Sequence, residues 1–518
     1  MGPALLRPDL YSDDATQHTY WLYRFVDPAL FPGDPSIEYF SSLSVAGWGY
    51  RWFYAALAPL GDALLVSKCV AVLLLAVTGF LAWRLGSDLE TDRPELTGLL
   101  AVMTTMALLP FVDLLPNVGF QRTFALPVTL LCIWGLATRR YRWAGVSWVA
   151  AALIYPVIVP VLGLTAGFVF LRDLVRDRRM PPAWIWNAVL GVLAVALVLL
   201  SREVPPGIGP MVTFAQAMAM PEFSPSGRQS LFGEGFRAYW FGHHRTGLGW
   251  SPKLVCLLIA ATAVTVFSGQ RRVVPPAVWL IAAIGVILWF VARLTLFDLY
   301  LPNRHSRWAL AAFAVIVIPV ALAAVIGRFV PVSDGRSRGR IMATRVAAVA
   351  APIVVALALY PSASRAWHGA VDGDLERAYV YLRSLPSDTL VAAHPTVADA
   401  IPLRTRHSVL ASTETWISFQ LGYRSQLVPR LDASLHAAYA STWQDFDSVL
   451  QPYGVDVFVV APYQWGERSY SAPFEGLVTK LMQVGEQQGF VLRDPPPERI
   501  LFRSGAVTVV KVEQAATR

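Results

Sequence analysis

A chain of 518 residues with 55% hydrophobic and only 15% charged residues, and a mean hydropathy of +0.48, is too apolar for an ordinary water-soluble enzyme. Its net charge of +8 does not indicate nucleic-acid binding, because the arginine clusters lie in short loops between apolar stretches and none falls in the polar tail. The composition predicts a polytopic membrane protein with a water-soluble carboxy-terminal part.

The amino-terminal segment is polar and rich in aromatic residues, and it carries Asp13 and Asp14 side by side. Adjacent carboxylates can bind a divalent cation, or one of them can act as a base while the other raises its proton affinity. The alternative is structural: Asp14 and Gln17 have the spacing of a capping box at the start of an amphipathic helix over residues 15–25. The two interpretations are compatible.

Apolar windows follow from residue 59 onward, and a helix needs about 20 such residues to cross about 30 Å of hydrocarbon. One window, 144–170, contains Tyr155-Pro156 at its middle, and proline inside a helix removes a hydrogen bond. We interpret it as a broken hairpin, which brings the total to about ten apolar segments. The windows are 59–83, 96–115, 123–138, 144–170, 185–201, 253–268, 276–292, 308–327 and 346–361.

Arginine-rich loops are predicted to lie in the cytoplasm, since arginine in short loops sets membrane orientation. This orientation places the loop 202–252 and the tail outside. The chain then divides into an external segment 1–58 with the acidic pair and interfacial helices, a transmembrane bundle 59–362 and a soluble extracytoplasmic α/β domain 363–518. The arginine clusters lie at 139–142, 172–179, 269–272 and 335–340.

The tail alternates short β-rich runs with helical stretches, as one α/β domain does. Its predicted strands are 388–393, 407–412, 455–460 and 507–512. Its predicted helices lie near 374–385, 434–450 and 474–488. Because the tail contains no glycine-rich phosphate loop, nucleophile elbow or zinc pattern, its own sequence does not indicate catalysis.

The external turn "LYLPNRHSRW" supplies Arg304, His305 and Arg307 at a helix entrance. Guanidinium groups match phosphate geometry with two parallel hydrogen bonds, so a lipid-linked phosphate is one candidate ligand. Interfacial anchoring is the alternative, because Trp and Tyr favour the same boundary.

Two further external positions carry candidate ligands. Arg122 lies in the short turn "GFQRTFALP", where an arginine is either a helix-end residue or a substrate contact. His243 and His244 lie in the loop 202–252, where they contact substrate, face solvent or form part of a weak metal site that lacks a third ligand.

The combination of "YSDDATQHTYWLYRF", "GFQRTFALP", the broken segment with "YP", "LYLPNRHSRW" and a carboxy-terminal α/β domain resembles the GT-C superfamily. Its members are polytopic glycosyltransferases that use polyprenyl-phosphate-linked sugars. They include protein O-mannosyltransferases, the aminoarabinose transferase of lipid A and the catalytic subunits of oligosaccharyltransferases.

The resemblance implies roles for the candidate residues. Asp13 and Asp14 match the family's acidic pair, which orients or deprotonates the acceptor or holds a divalent cation such as Mg or Mn. Arg304, followed by Arg307, matches the arginine that binds the donor phosphate. The remaining external candidates are expected to line the substrate site: His305, Arg122, His243 and His244.

The family also implies a hexosyltransferase-class activity in the bacterial inner membrane. The expected partners are a polyprenyl-phosphate-linked sugar, an extracytoplasmic acceptor hydroxyl or amine and membrane lipid, with no nucleic acid and no nucleotide or redox cofactor. Family members carry a transmembrane helix before the acidic loop, so we expect a further helix upstream of Met1. The alternative is an amino terminus that is itself translocated, which the acidic bias of residues 1–58 permits.

Two alternatives from other classes stay open. Broken helices and intramembrane prolines are also typical of a transporter or flippase, although the apolar windows carry hardly any ionisable residue near their centres and no two-fold repeat. The second alternative is a catalytically inactive scaffold of the cell envelope.

Overall fold

The computed structural model describes residues 11–89, 91, 93–110, 112, 118–178, 182–202, 204–242, 245–329, 367–368, 373–466 and 470–514.

The amino-terminal segment folds into short polar and aromatic elements. Asp34 begins one of its helices by accepting a hydrogen bond from the Ser36 backbone N–H at 2.8 Å, with Pro35 at the first helical position. The predicted helix over 15–25 is present as an α-helix followed by a 3-10 helix. The elements are β1 (Tyr11–Ser12), α1 (Asp13–His18), the 3-10 helix Tyr20–Phe25, α2 (Pro35–Ser41) and α3 (Trp48–Leu57).

A bundle of apolar helices follows, interrupted by one long loop that carries two short helices, α10 and α11. In chain order the helices are α4 (Ala63–Ser87), α5 (Pro94–Leu108), α6 (Ala125–Ala137), α7 (Tyr141–Ile154), α8 (Val159–Asp177), α9 (Pro182–Leu200), α10 (Phe214–Ala219), α11 (Gly235–Phe241), α12 (Pro252–Phe267), α13 (Pro276–Leu294) and α14 (Asn303–Phe329).

Five helical stretches among the described residues are long and apolar enough to cross a membrane. They are Ala63–Ser87, Pro156–Asp177, Pro182–Leu200, Pro276–Leu294 and Asn303–Arg328, and shorter apolar helices cover Pro94–Leu108, Gln121–Ala137 and Pro252–Phe267. The expected total of about ten segments is therefore not confirmed, and the window 346–361 lies outside the described residues. Along α9, Val192 and Leu200 are 71% and 63% exposed, as expected of a helix that faces lipid.

The predicted break inside residues 144–170 is present. Helix α7 ends at Ile154, and Tyr155 leaves the helical region with φ −143° and ψ 78°, because the proline that follows disfavours the α conformation. A 3-10 turn over Pro156–Ile158 leads into α8. The two halves then pack against different neighbours, α7 on α6 and α9 and α8 chiefly on α13.

Helix α14 is the central helix of the bundle. It is buried along most of its length against α13, α5 and α12, which explains its almost continuous apolar sequence. Its contact with α13 is close: a Cβ atom added to Gly285 would lie 2.3 Å from the Cβ atom of Ala309. This packing fixes the first turn of α14, which carries Arg304.

The carboxy-terminal region contains a four-stranded sheet surrounded by helices. The strand order is β3-β4-β6-β5, with β3 parallel to β4 and the other pairs antiparallel. A separate strand, β2 (Trp367–His368), pairs with β1. The other elements are α15 (Gly373–Leu382), β3 (Val391–Ala393), α16 (Pro395–Ala398), α17 (Ile401–Thr405), α18 (Leu421–Ala438), α19 (Trp443–Leu450), β4 (Val457–Val460), α20 (Glu475–Gln488), β5 (Ile500–Ser504) and β6 (Val507–Lys511).

Three of the four predicted strands are present, as β3, β4 and β6. The run 407–412 is instead an extended connection that contributes one isolated bridge, between Val409 and Val391. The expected helix over 434–450 is split into the end of α18 and α19, because Thr442 caps a new helix by accepting from the Asp445 N–H. Strand β5 was not predicted, since its sequence "ILFRS" is half-exposed and only weakly alternating.

The amino-terminal segment shares one apolar core with the carboxy-terminal sheet. Tyr39 stacks on Tyr423 with ring centroids 4.2 Å apart, and the Tyr39 hydroxyl donates to Gln420 Oε1 at 2.8 Å. Residues of the segments 11–57 and 373–514 therefore pack into one core.

Candidate functional site

The acidic pair lies on α1, and its two carboxylates have different surroundings. Asp13 is exposed and accepts a hydrogen bond from the Asp14 backbone N–H at 2.8 Å. Asp14 is half-buried, and its Oδ2 atom lies 2.5 Å from Nη2 of Arg122. No capping-box bond joins Asp14 to Gln17 among the described residues, because the Gln17 amide donates to the Glu414 carbonyl instead.

Arg122 reaches Asp14 from the 3-10 helix Gln121–Phe124, at the entrance to α6. Its guanidinium lies over the ring of Phe120, 4.5 Å from the centroid, a distance at which cation–π attraction operates. The preceding turn requires Gly119, because a Cβ atom there would lie within 2.4 Å of the Tyr54 hydroxyl oxygen. The ion pair thus has one partner on a buried turn and the other on a short helix.

His18 lies one helical turn after Asp14. Its ring stacks on Phe120 with centroids 5.4 Å apart and meets the edge of Phe40 at 5.7 Å. Burial lowers the pKa of His18 to about 4; the charge of Asp14 opposes this shift, and the charges of Arg122 and Arg304 add to it. The imidazole is therefore neutral at pH 7, and the charges of Asp14, Arg122 and Arg304 all act on it. The sequence signal for His18 is its spacing of four residues from Asp14, since residues four apart lie on the same face of a helix.

Arg304 lies in the first turn of α14, where the helix dipole favours anions. Its Nε and Nη1 atoms are buried and have no hydrogen-bond partner among the described residues. Its guanidinium is 5.9 Å from the ring centroid of Trp308. Since burying unpaired charge is costly, this side chain is suited to bind an anion.

Arg245, from the loop between α9 and α12, was not predicted to belong to the site. Burial lowers the pKa of Arg245 to about 10, with further lowering by the charges of Arg304, Arg228 and Arg122. Its guanidinium lies 5.4 Å from the Phe419 ring centroid, and among the described residues no carboxylate pairs with it. Arg245 and Arg304 are thus two cations that lie close enough to repel each other.

The helix break places Tyr155 at the same site. Its ring contacts Trp308 edge to face with centroids 5.2 Å apart. The charges of Arg122, Arg304 and Arg307 all act on its hydroxyl group. The proline-containing break, identified in the sequence as a topological feature, therefore also contributes a phenol to the arginine cluster.

The neighbours of Arg304 on α14 have packing contacts. His305 is buried, and its Nε2 atom forms a 2.9 Å hydrogen bond with the Leu299 carbonyl. Arg307 is buried against Gly249, whose φ of +74° and lack of a side chain permit the close approach. Substrate contacts by Arg307 and His305 remain predictions. His243 and His244 lie outside the described residues.

The described residues around the acidic pair do not fit a divalent metal site. The Asp14 carboxylate lies against the Arg122 guanidinium, and Asp13 is exposed. The part of the chain that the structure describes contains no cluster of three or more His, Cys, Asp or Glu side chains able to hold a cation. We therefore derive no step that uses a metal.

One cavity among the described residues is lined by residues outside this cluster. It has a volume of about 310 Å³ and is lined by residues 28–34 together with Arg24 and Glu38. Because this lining includes neither Asp14 nor the arginines that face it, the candidate site rests on the charged side chains and not on this cavity.

Comparisons with solved structures find matches at low identity and with TM-scores below 0.5. ArnT from Cupriavidus metallidurans in the apo state is 12% identical, with a TM-score of 0.49 over 96% of this chain and 93% of that one. The Archaeoglobus fulgidus oligosaccharyltransferase crystallised with Zn and sulfate is 10% identical, with a TM-score of 0.44 over 91% of this chain and 67% of that one.

A further structure of the Archaeoglobus fulgidus enzyme, AglB in complex with an inhibitory peptide and a dolichol-phosphate, is 13% identical, with a TM-score of 0.32 over 92% of this chain and 60% of that one. ArnT and AglB are both GT-C superfamily members. At these identities and TM-scores the likeness assigns no activity to this chain. No protein-family model and no curated protein matches the sequence.

Proposed function

We propose that this chain is a membrane glycosyltransferase that moves a sugar from a polyprenyl-phosphate donor to a hydroxyl or amine of an extracytoplasmic acceptor. The observation that carries the proposal is a cluster in which Asp14 pairs with Arg122, and the charge of Arg122 acts on Arg245 together with that of Arg304. The guanidinium groups of Arg304 and Arg245 lack an anionic partner among the described residues. His18 connects the carboxylate of Asp14 to the arginine cluster, since the charges of Asp14 and Arg304 both act on its imidazole.

The two arginines bind the donor phosphate in this proposal. Cations that are held close together and away from bulk water are destabilising until an anion joins them. A phosphate accepts paired hydrogen bonds from guanidinium groups, and the amino-terminal end of α14 adds a favourable dipole. Arg304 is also the residue that the sequence resemblance assigns to the donor phosphate, and Arg245 extends that assignment.

Asp14 orients and deprotonates the acceptor. The acceptor oxygen or nitrogen attacks the anomeric carbon of the sugar, the bond from that carbon to the phosphate oxygen breaks, and the lipid phosphate leaves with the electron pair. The acceptor proton passes to the carboxylate of Asp14, and the arginines neutralise the charge that develops on the phosphate. Asp13 is exposed one residue away and remains the second candidate carboxylate.

The test is sugar transfer from a labelled polyprenyl-phosphate sugar in membranes that contain the wild-type chain, Arg304→Gln or Arg245→Gln. Loss of a hydrogen bond to a charged group costs about 1.5–3 kcal/mol, so each substitution should raise the donor KM about 10- to 100-fold. The matched control is Arg328→Gln, an exposed arginine at the opposite end of α14, which should leave the KM unchanged. Equal KM values in all four proteins would remove the phosphate assignment.

A stability measurement separates binding from folding. Arg245→Met removes a cation that is repelled by Arg304, so the ligand-free variant should melt at a higher temperature than the wild type while transferring less sugar. Movement of the intact lipid-linked sugar between leaflets without transfer would instead favour the flippase alternative.

A further inference from the structure

Three segments that are distant in the sequence meet beside α1. Nε2 of Gln17, on α1, donates to the Glu414 backbone carbonyl at 2.7 Å. The Glu414 carboxylate pairs with Nη2 of Arg228 from the long external loop at 2.9 Å. The helix that carries the acidic pair is therefore bonded directly to the carboxy-terminal region.

The segment that receives Gln17 is itself tightly held. Three successive carbonyls, those of Glu414, Thr415 and Trp416, each accept a side-chain hydrogen bond from a different part of the chain. The donors are Gln17 at 2.7 Å, the Tyr423 hydroxyl at 2.8 Å and Gln229 Nε2 at 2.6 Å. We call residues 414–416 the carbonyl hub.

Two ionisable side chains, those of Asp399 and Arg228, contact Glu414 in the hub. The Glu414 backbone N–H donates to Oδ1 of Asp399 at 2.8 Å. Burial acts to lower the pKa of Arg228, but the charges of Glu414 and Asp399 outweigh burial and raise it. Burial and the charge of Glu414 raise the pKa of Asp399 well above its usual range.

The side-chain contacts that hold α1 include the bond from Gln17, the Asp14–Arg122 pair and the stacking of His18 on Phe120. The helix has only six residues, and isolated helices of this length are unstable in water. Gln17 is three residues from Asp14, so the two side chains lie on neighbouring parts of the same helical face. A change in the bond from Gln17 therefore changes the direction in which the Asp14 carboxylate points.

We propose that the carbonyl hub is a positioning device for Asp14: the bond from Gln17 to Glu414 fixes the rotation of α1, and Arg228 fixes Glu414. The carboxy-terminal region thus holds the geometry of the site without contacting the reacting atoms. This inference rests on the proposed function for its catalytic part and on the hydrogen bonds alone for its structural part.

The experiment compares Gln17→Met, which keeps the shape of the side chain and removes the donor, with Gln426→Met. Gln426 is a matched control, because its Nε2 donates to the Gly207 carbonyl at 2.7 Å and does not contact α1. Hydrogen–deuterium exchange of residues 13–18 in the purified full-length chain measures the structural part. Sugar transfer with separate kcat and KM values measures the catalytic part.

Gln17→Met should speed exchange across α1 and lower kcat by about 10²-fold, with the donor KM and the melting temperature close to those of the wild type. Glu414→Gln, which breaks the ion pair and keeps the backbone acceptor, should produce a smaller change in the same direction. Unchanged exchange at residues 13–18 in Gln17→Met, or unchanged kcat in an active enzyme, overturns the proposal. A wild-type chain that transfers no sugar refutes the proposed function alone, and exchange then decides whether the hub holds α1.

Discussion

Asp14 and Arg122, which are 108 residues apart in the sequence, meet through a 2.5 Å contact between Oδ2 and Nη2. Each side chain is about a quarter exposed, at 22% and 26%, so the pair lies at a boundary between protein and solvent. Exposed ion pairs contribute little to stability, about 0–1 kcal/mol. The pair is better suited to orienting the carboxylate than to holding the fold.

The first prediction concerns this orientation. Arg122→Gln should lower kcat for sugar transfer by about 10²-fold, because a carboxylate displaced by about 1 Å loses much of its effect. Arg122→Lys keeps the charge and should retain more activity than Arg122→Gln.

A second Arg–Asp pair supplies the control. Arg84 and Asp88 are joined at 3.0 Å with similar exposure, 29% and 23%, at the far end of α4. Arg84→Gln should therefore transfer sugar at the wild-type rate. A wild-type kcat in Arg122→Gln would show that the pair does not orient Asp14.

The second prediction concerns pH. Because the pKa of His18 is about 4 in the folded chain and 6.5 in the unfolded chain, only the unfolded chain binds this proton between those pH values. The stability contribution of a neutral His18 is therefore complete above pH 6.5 and is lost as pH falls toward 4.

Thermal unfolding of the wild type and His18→Gln at pH 7 and pH 5 checks this sign. The drop in melting temperature between the two pH values should be smaller in His18→Gln. His436→Gln, a half-exposed histidine on α18, is the control and should show the wild-type drop. Equal drops in the wild type and His18→Gln would contradict the burial of a neutral imidazole.

The third prediction concerns the contact that fixes α14. Gly285→Ala places a methyl group 2.3 Å from the Cβ atom of Ala309, so the helices must separate at a cost of about 1–3 kcal/mol. Gly163→Ala in α8 meets no atom within 4 Å and should be neutral or stabilising by up to about 1 kcal/mol, because alanine is the better helix former. Thermal unfolding in detergent measures both. If the two variants have the same melting temperature, α13 and α14 are not packed this closely.

The fourth prediction concerns the carboxy-terminal region. Arg499 donates to both carboxylate oxygens of Asp447 at 2.8 Å, and both side chains are at most 10% exposed. Arg499→Met leaves a buried carboxylate without its partner and should destabilise the chain by about 3–5 kcal/mol. Arg377→Met, at a cation that is 64% exposed, should cost at most about 1 kcal/mol. Denaturant unfolding measures both free energies of unfolding. Equal losses in Arg499→Met and Arg377→Met would contradict a stabilising role for the buried pair.

The sequence indicated Asp14, Arg122 and Arg304 because a charge next to an apolar window is conspicuous. The break at Tyr155 was also predictable from the sequence, since a proline restricts the backbone conformation of the residue before it. These positions depend on local sequence, and the structure brings their side chains to one place.

The rest of the site depends on contacts between distant segments. Gln17 and Glu414 are 397 residues apart, and the pattern around Glu414 gives no sign that its carbonyl accepts a hydrogen bond from α1. Arg245 lies in a polar loop where arginine is unremarkable, and only tertiary packing brings it near Arg304. The run 407–412 was predicted as a strand from its apolar residues, but it pairs at only one position.

The most direct test of the account is the kcat for sugar transfer from a polyprenyl-phosphate donor by Asp14→Asn, compared with Asp88→Asn as the control for loss of an Arg–Asp pair. General-base catalysis contributes about 10²- to 10⁴-fold, so kcat should fall by that factor in Asp14→Asn, with an unchanged melting temperature and normal transfer by Asp88→Asn. Transfer by Asp14→Asn at the wild-type rate would contradict the assignment of this carboxylate as the base.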